Sequence, residues 1–138
     1  MQFSHSRIEC FKSCPYQFKL RYIDCFDTLD EYNPQDALKV GTAFHTGIEK
    51  DIETAIKEYY NSYPIISNLH INEAIKLESM IKKARNVLPL ENAKFEVELN
   101  CESFKGFIDM LVPVGYNVFD MYDFKYSNNI EKYVFIPV

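Results

Sequence analysis

The chain has 138 residues, 15 Lys and Arg against 20 Asp and Glu for a formal charge of −5, and a 47% hydrophobic content that includes 11 Phe and 10 Tyr. That length fits one domain, the apolar content excludes the disordered and low-complexity classes, and no run approaches the roughly 18 apolar residues of a membrane helix. The negative total also excludes a general basic coat for nucleic acid, although Lys76, Lys82, Lys83 and Arg85 stand against Glu78 alone between residues 76 and 85.

The amino terminus, Met1-Gln2-Phe3-Ser4-His5, does not have the basic-then-apolar layout of a signal peptide, so a cytoplasmic protein with no membrane association is expected. Cys10, Cys14, Cys25 and Cys101 contain no Cys-x-x-Cys, which favours free thiols over bridges or zinc.

In chain order, Ser6 to Glu9 reads as a capping box that starts a helix through Ile8 and Phe11. Pro15 is tolerated only in a first helical turn, so Ser13-Cys14-Pro15 marks a break and a second helix follows through Tyr16, Phe18, Leu20 and Tyr22. Residues 24–35 read as an acidic connection. From Asp36, the residues Val40, Phe44, Ile48, Ile52, Ile56 and Tyr60 recur every four positions and predict one helix of about six turns. Asn61 to Asn68, with Pro64, interrupts it. Ile71, Ile75, Ile81 and Leu88 predict a further helix ending before Pro89.

The period then falls to two. Phe95, Val97 and Leu99 alternate with Lys94, Glu96 and Glu98; Phe104 to Pro113 is mostly apolar; Val118 to Lys125 alternates again. The links Asn100–Ser103 and Val114–Asn117 are short enough for hairpins, so an antiparallel meander is predicted. Helices followed by a sheet make the fold class α+β.

Asp109 is an ionisable group set in the apolar run Gly106-Phe107-Ile108-Asp109-Met110-Leu111, a burial that is unfavourable unless the charge is compensated. Asp123 and Lys125 stand at i and i+2 of the next strand and leave the same face. If the hairpin joins these strands, Asp109 and Asp123 converge, and a hard divalent cation such as Mg2+ is the usual compensation for two carboxylates held together. Lys125 alongside can orient the attacking water or stabilise charge developing on a phosphate. Taken alone, Asp123-Phe124-Lys125 is more often a solvent-exposed ion pair. Asp120 has the opposite parity to Asp123 and is expected to face away.

Five segments in order, Ser4-x-Ser6-Arg7, Ser13-Cys14-Pro15-Tyr16-x-Phe18, Gly41-Thr42-x-Phe44-His45, Gly106-x-Ile108-Asp109 and Asp123-Phe124-Lys125, resemble the PD-(D/E)XK nucleases of the RecB and AddB type and their CRISPR-adaptation relatives. The resemblance spans residues 4–127. It implies N-terminal helices packed on a small, mainly antiparallel restriction-endonuclease-like sheet, and a DNA nuclease dependent on Mg2+ or Mn2+. It further implies Asp109, Asp123, His45 and the Phe124 carbonyl as metal ligands and Lys125 as the catalytic lysine. Without it, His45 at the edge of the apolar stripe is more often a hydrogen-bonded boundary residue. His5 and His70 match nothing in the pattern and are expected at the surface.

Glu96 and Glu98 share a face of the first predicted strand; they can add an acid to the site, but a solvated face is the plainer reading. Cys14 matches the first cysteine of relatives that hold an iron–sulfur cluster. Residues 102–138 contain no cysteine, so no such cluster is expected and Cys14 reads as a buried small hydrophobe.

The family follows its lysine strand with a helix carrying Gln-x-x-x-Tyr and then a further strand. Residues 126–138 carry no such motif, so a single domain over 1–138, incomplete near 126–138, is expected. Eight residues between Lys125 and Val134 are too few for a parallel crossover. Asn128-Asn129 instead predicts a hairpin of Phe119–Ser127 against Ile130–Phe135, and a site open on that side.

The function these features imply is a metal-dependent nuclease, an exonuclease acting on DNA in recombination, repair or phage DNA processing, with a helicase or recombination protein as a conceivable partner. The alternative from the binding class is a catalytically poor nuclease fold that binds DNA or a protein partner. A structural interaction domain with surface Asp/Lys pairs is the third.

Overall fold

A computed structural model describes residues 2–26 and 32–127 of the chain. Its contacts divide it into two compact units, Met1–Asp30 with Asn92–Tyr122, and Glu31–Glu91 with Asp123–Val138.

In the first unit, Ser4 rather than Ser6 opens helix α1, His5–Ser13: the Ser4 backbone is extended and its hydroxyl accepts from the Arg7 amide at 3.4 Å. Ser6 instead bonds the Ser4 hydroxyl at 3.0 Å. Pro15 opens α2, Pro15–Phe18, as its missing N–H predicts. Cys14 caps this helix, its sulfur accepting from the Gln17 amide at 3.4 Å, so the half-buried thiol has a polar task as well as a packing one. The chain continues through a wider π-helical turn, Lys19–Ile23. Phe18 is buried, edge-on to Phe11 at 5.4 Å and tilted on Tyr22 at 5.3 Å.

The same unit holds the sheet. Strands β1, Lys94–Asn100, β2, Lys105–Gly115, and β3, Val118–Tyr122, form the predicted antiparallel meander in the order β1-β2-β3. Asn117, at φ 55°, supplies the left-handed residue that the β2–β3 turn needs. Phe3 adds a parallel bridge beside Phe104, donating to the Ser103 carbonyl and accepting from the Lys105 amide, both at 3.0 Å. Met110 and Val112 are buried on one face of β2. β3 ends at Tyr122 rather than reaching Lys125, so Asp123-Phe124-Lys125 lies beyond the strand that was expected to carry it.

In the second unit, the predicted long helix is two helices, α3, Ala37–Glu49, and α4, Ile52–Asn61. At 3.6 residues per turn, a stripe recurring every four residues drifts about 40° per step, and the five steps from Val40 to Tyr60 would carry it about 200° around one straight rod. With the rod broken at Lys50–Asp51, α3 buries Val40 and Ile48 of the stripe, whereas α4 buries Ala55 and Tyr59, one position before Ile56 and Tyr60, and leaves Ile52, Ile56 and Tyr60 half-buried. Asp36 caps α3 through the Leu38 and Lys39 amides, and Asp51 caps α4 through the Thr54 amide at 2.8 Å. The end of α3 is held from elsewhere: the Arg85 guanidinium donates to the carbonyls of Gly47, Ile48 and Lys50 at 2.9, 2.9 and 3.2 Å.

Arg85 belongs to α5, Asn68–Val87. Its buried stripe is His70, Glu73, Ala74, Leu77 and Ile81, whereas Ile71 and Ile75 are exposed. The predicted helix is therefore present and Ile81 is buried, but the buried face is turned about 100° from the one Ile71 and Ile75 suggested. His70, expected at the surface, is only 3% exposed. Its Nδ1 accepts from the Ser67 amide at 3.1 Å and its ring packs on Tyr63 at 4.4 Å, an apolar and capping role that its residue type does not announce. Tyr59 and Tyr63 complete this core, their hydroxyls donating to the carbonyls of Pro34 and Asn33 at 2.8 and 2.7 Å. Burial pushes both phenol pKa values up.

Among the described residues, five α-helices and a three-stranded antiparallel sheet make the fold α+β, consistent with a restriction-endonuclease-like fold. The expected hairpin to Ile130–Phe135 falls on residues outside those described. No helix among the described residues is long and apolar enough to cross a membrane.

Candidate metal centre

In the first unit two acids face one another. In the β1–β2 ladder, Phe95 pairs with Met110 and Val97 with Ile108, so Glu96 and Asp109 are the residues left opposite one another. Their carboxylate oxygens lie within 4.8 Å. Asp109 is half-buried and Glu96 exposed. Glu96 has φ 48°, the left-handed region, although the register is the same on either side of it, so no residue has been inserted. For a non-glycine residue that conformation is unfavourable by roughly 1–3 kcal/mol and persists where the surroundings impose it. Glu98, on the same face of β1 as Glu96, pairs with Lys105 at 3.1 Å, and Asp120 pairs with Val112, on the face opposite that of Asp109.

The other expected residues lie in the second unit. His45, one residue past Phe44 on α3, places Nε2 3.3 Å from the Phe124 carbonyl oxygen. The Phe124 ring lies edge-on to both Phe44 and His45, at 5.9 and 5.6 Å. Asp123 and Lys125 are joined at 2.9 Å by an ion pair in which both side chains are more than half exposed. Two residues beyond Phe124, the Tyr126 hydroxyl donates to Glu73 at 3.3 Å. Glu73 is 5% exposed and also accepts from Lys76 at 3.1 Å and Gln35 at 3.4 Å. Burial pushes the Tyr126 phenol up, and the Glu73 charge adds to the shift. Residues 123–127 adopt no regular structure, so these side-chain anchors hold the segment against α3 and α5.

Glu73 and Arg85 were not singled out from the sequence. Glu73 had a signal, since it stands four and eight residues before Leu77 and Ile81 and so lies on the buried stripe. Arg85 had none, because its acceptors are more than thirty residues away.

The donors suit a hard divalent cation. Two carboxylates this close repel, and a cation that takes oxygen ligands offsets the repulsion. A separation of 3.3 Å between an imidazole nitrogen and a carbonyl oxygen fits a hydrogen bond. It is also close to the about 3 Å between adjacent ligands of an octahedral ion bound at 2.0–2.1 Å.

Comparison with known proteins gives one family. The model of the PD-(D/E)XK nuclease superfamily matches residues 2–134, nearly the whole chain. No curated protein and no solved structure matches.

Proposed function

The chain belongs to the PD-(D/E)XK nuclease superfamily, and from that membership we propose a deoxyribonuclease that uses Mg2+ or Mn2+ and degrades DNA from its ends. In this reading Asp109, Asp123, His45 and the Phe124 carbonyl are the metal ligands, and Lys125 acts on the scissile phosphate. The observation that carries it is the position of Asp109: the acid of the Gly106-x-Ile108-Asp109 segment has a second carboxylate within 4.8 Å.

A bound cation would offset phosphate charge and make water a stronger nucleophile at neutral pH. The chain's own groups do the rest. Asp109 and Asp123 bind through hard carboxylate oxygens, and the His45–Phe124 pair holds the irregular segment that carries Asp123. Lys125, once released from Asp123, offers its Nζ protons to the non-bridging phosphate oxygens, where negative charge grows during displacement.

Calorimetric titration with Mn2+ tests the metal reading: Asp109→Ala and Asp123→Ala should each abolish binding, and wild-type affinity in either rejects it. Incubation with linear and covalently closed circular DNA tests the mode of attack. Loss of the linear form alone is expected, and nicking of the circle would make the enzyme an endonuclease.

One observation favours the second reading, a nuclease fold that binds DNA or a helicase or recombination partner while cutting poorly. The Lys125 amine is bonded to Asp123, an expected ligand, in a solvent-exposed pair. Turnover in Mn2+ separates the two readings.

A further inference from the structure

Glu73 holds a position that an apolar side chain would fill more favourably. It stands on the buried stripe of α5 with His70, Ala74, Leu77 and Ile81 and is only 5% exposed. A carboxylate there gives up its hydration, and replacing a buried, paired charge by an apolar side chain of similar size is often neutral or stabilising. Its partners are unequal. Lys76 reaches back to Oε2 at 3.1 Å from a side chain that is itself mostly in solvent, and Gln35 joins it on the same oxygen at 3.4 Å. The other oxygen, Oε1, accepts from the hydroxyl of Tyr126, 53 positions later, at 3.3 Å. Among the described residues that hydroxyl has no other partner.

Tyr126 directly follows Lys125, in a stretch without regular structure. Upstream, the Phe124 carbonyl is fixed to His45 of α3 at 3.3 Å. Lys125 therefore stands between two tethers, one to α3 and one to α5. Its own ion pair, with Asp123, lies within the same stretch and fixes it to neither helix. The upstream tether alone leaves the chain free to swing about Phe124, and the downstream one removes that freedom. Holding an irregular residue in one conformation opposes backbone entropy, and a displacement of about 1 Å at a reacting group can lower a rate about a hundredfold.

We propose that Glu73, acting through Tyr126, is a positioning residue for Lys125, and that the core of α5 carries a carboxylate in order to hold it. The inference rests on the nuclease reading above, in which Lys125 acts on the scissile phosphate, and adds two residues that lie outside the ligand set.

Three variants of the whole chain test the assignment by cleavage of linear DNA in Mn2+, by melting temperature and, without metal, by the rate at which trypsin cuts after Lys125. Tyr126→Phe keeps the ring and removes the hydroxyl, so kcat should fall about tenfold with KM nearly unchanged, the pattern of a reacting group left loosely placed. Glu73→Leu should show the same fall while melting at or above the wild-type temperature, and trypsin should cut it several times faster as the segment is released. Glu73→Gln still accepts from Tyr126 and should recover most of the kcat that Glu73→Leu loses. Glu73→Leu combined with Tyr126→Phe should lower kcat no further than either alone, because the two act through one bond. Tyr126→Phe carries the test by itself should Glu73→Leu not fold. Wild-type kcat in Tyr126→Phe, with cleavage lowered in Lys125→Ala, overturns the positioning role and leaves the nuclease reading standing. Losses that multiply in the double variant would make Glu73 a residue of the fold and equally overturn the proposal. No cleavage by the wild type, or a wild-type rate in Lys125→Ala, overturns the nuclease reading itself and the proposal with it.

Discussion

The imidazole Nε2 of His45 sits 3.3 Å from the carbonyl oxygen of Phe124, joining a residue of α3 to one 79 positions later that belongs to no helix or strand. The ring of Phe124 repeats the attachment by packing edge-on to Phe44 and His45. The contact therefore both holds the segment after β3 and places two of the expected metal donors together. His45→Ala should weaken Mn2+ binding by about tenfold or more, the range typical of groups that hold or orient a metal. His45→Gln separates the two roles. It can still donate to the carbonyl but is a poor ligand, so Mn2+ affinity should stay low. Recovery of wild-type affinity in calorimetry would make His45 a hydrogen-bond donor only.

Lys125 bears on chemistry rather than on holding the ion. Lys125→Ala should lower DNA cleavage by about two orders of magnitude or more, the scale of a lost electrostatic or acid-base group. Mn2+ affinity should hold or rise, because Asp123 loses its 2.9 Å partner. Cleavage at the wild-type rate would return the pair to an ordinary surface ion pair, whose contribution to stability is small.

Gly47 permits α3 and α5 to approach. A Cβ placed there would meet Ile81 Cγ1 at 2.8 Å and Cγ2 at 3.0 Å, and would strike Cδ1 as well. With three atoms of a fully buried side chain involved, no single rotation clears the clash. Gly47→Ala should cost about 1–3 kcal/mol in urea unfolding, as overpacked cores do. Gly47→Ala with Ile81→Ala should lose less than the sum of the two single changes.

Arg85 holds the carbonyl end of α3. Charge-assisted hydrogen bonds of this kind contribute about 1.5–3 kcal/mol, so Arg85→Ala should lower stability by that order. Arg85→Lys should recover part of the loss. Amide exchange at Lys50 and Asp51 should accelerate in the alanine variant more than in the lysine one; equal rates in both would show that the charge at the helix end is not what fastens the break.

Asp51 gives α4 a pH dependence. Hydrogen bonds from the Thr54 amide and then the Thr54 hydroxyl hold its carboxyl below the usual carboxylate range. A folded pKa below the unfolded value of about 3.9 means that the stabilisation is fully present above that pH and is lost as pH falls through the folded pKa. The melting temperature should therefore fall on acidification below about pH 4. Asp51→Asn still caps the helix without titrating, and should remove this part of the decline. An unchanged acid profile in that variant would assign the decline to other carboxylates.

Local pattern was enough for a large part of this protein. The period of two from Phe95 onward and short links such as Val114–Asn117 determined the meander, because strand faces and hairpin turns depend on residues a few positions apart. Pro15 located the start of α2 for the same reason. The ordered segments around His45, Asp109 and Asp123-Phe124-Lys125 pointed to the PD-(D/E)XK nuclease superfamily, which the match over residues 2–134 bears out at that level. Other features depended on partners distant in the chain. The break between α3 and α4 is fastened by Arg85, and Glu73 and His70 are buried because α5 turns its Leu77–Ile81 stripe, not its exposed isoleucines, to the core. The pairing of Glu96 with Asp109 needed the register of β1 on β2, which a sequence written in single residues does not contain. Side-chain periodicity reports which residues share a face; only packing decides which face is buried and which distant groups meet there.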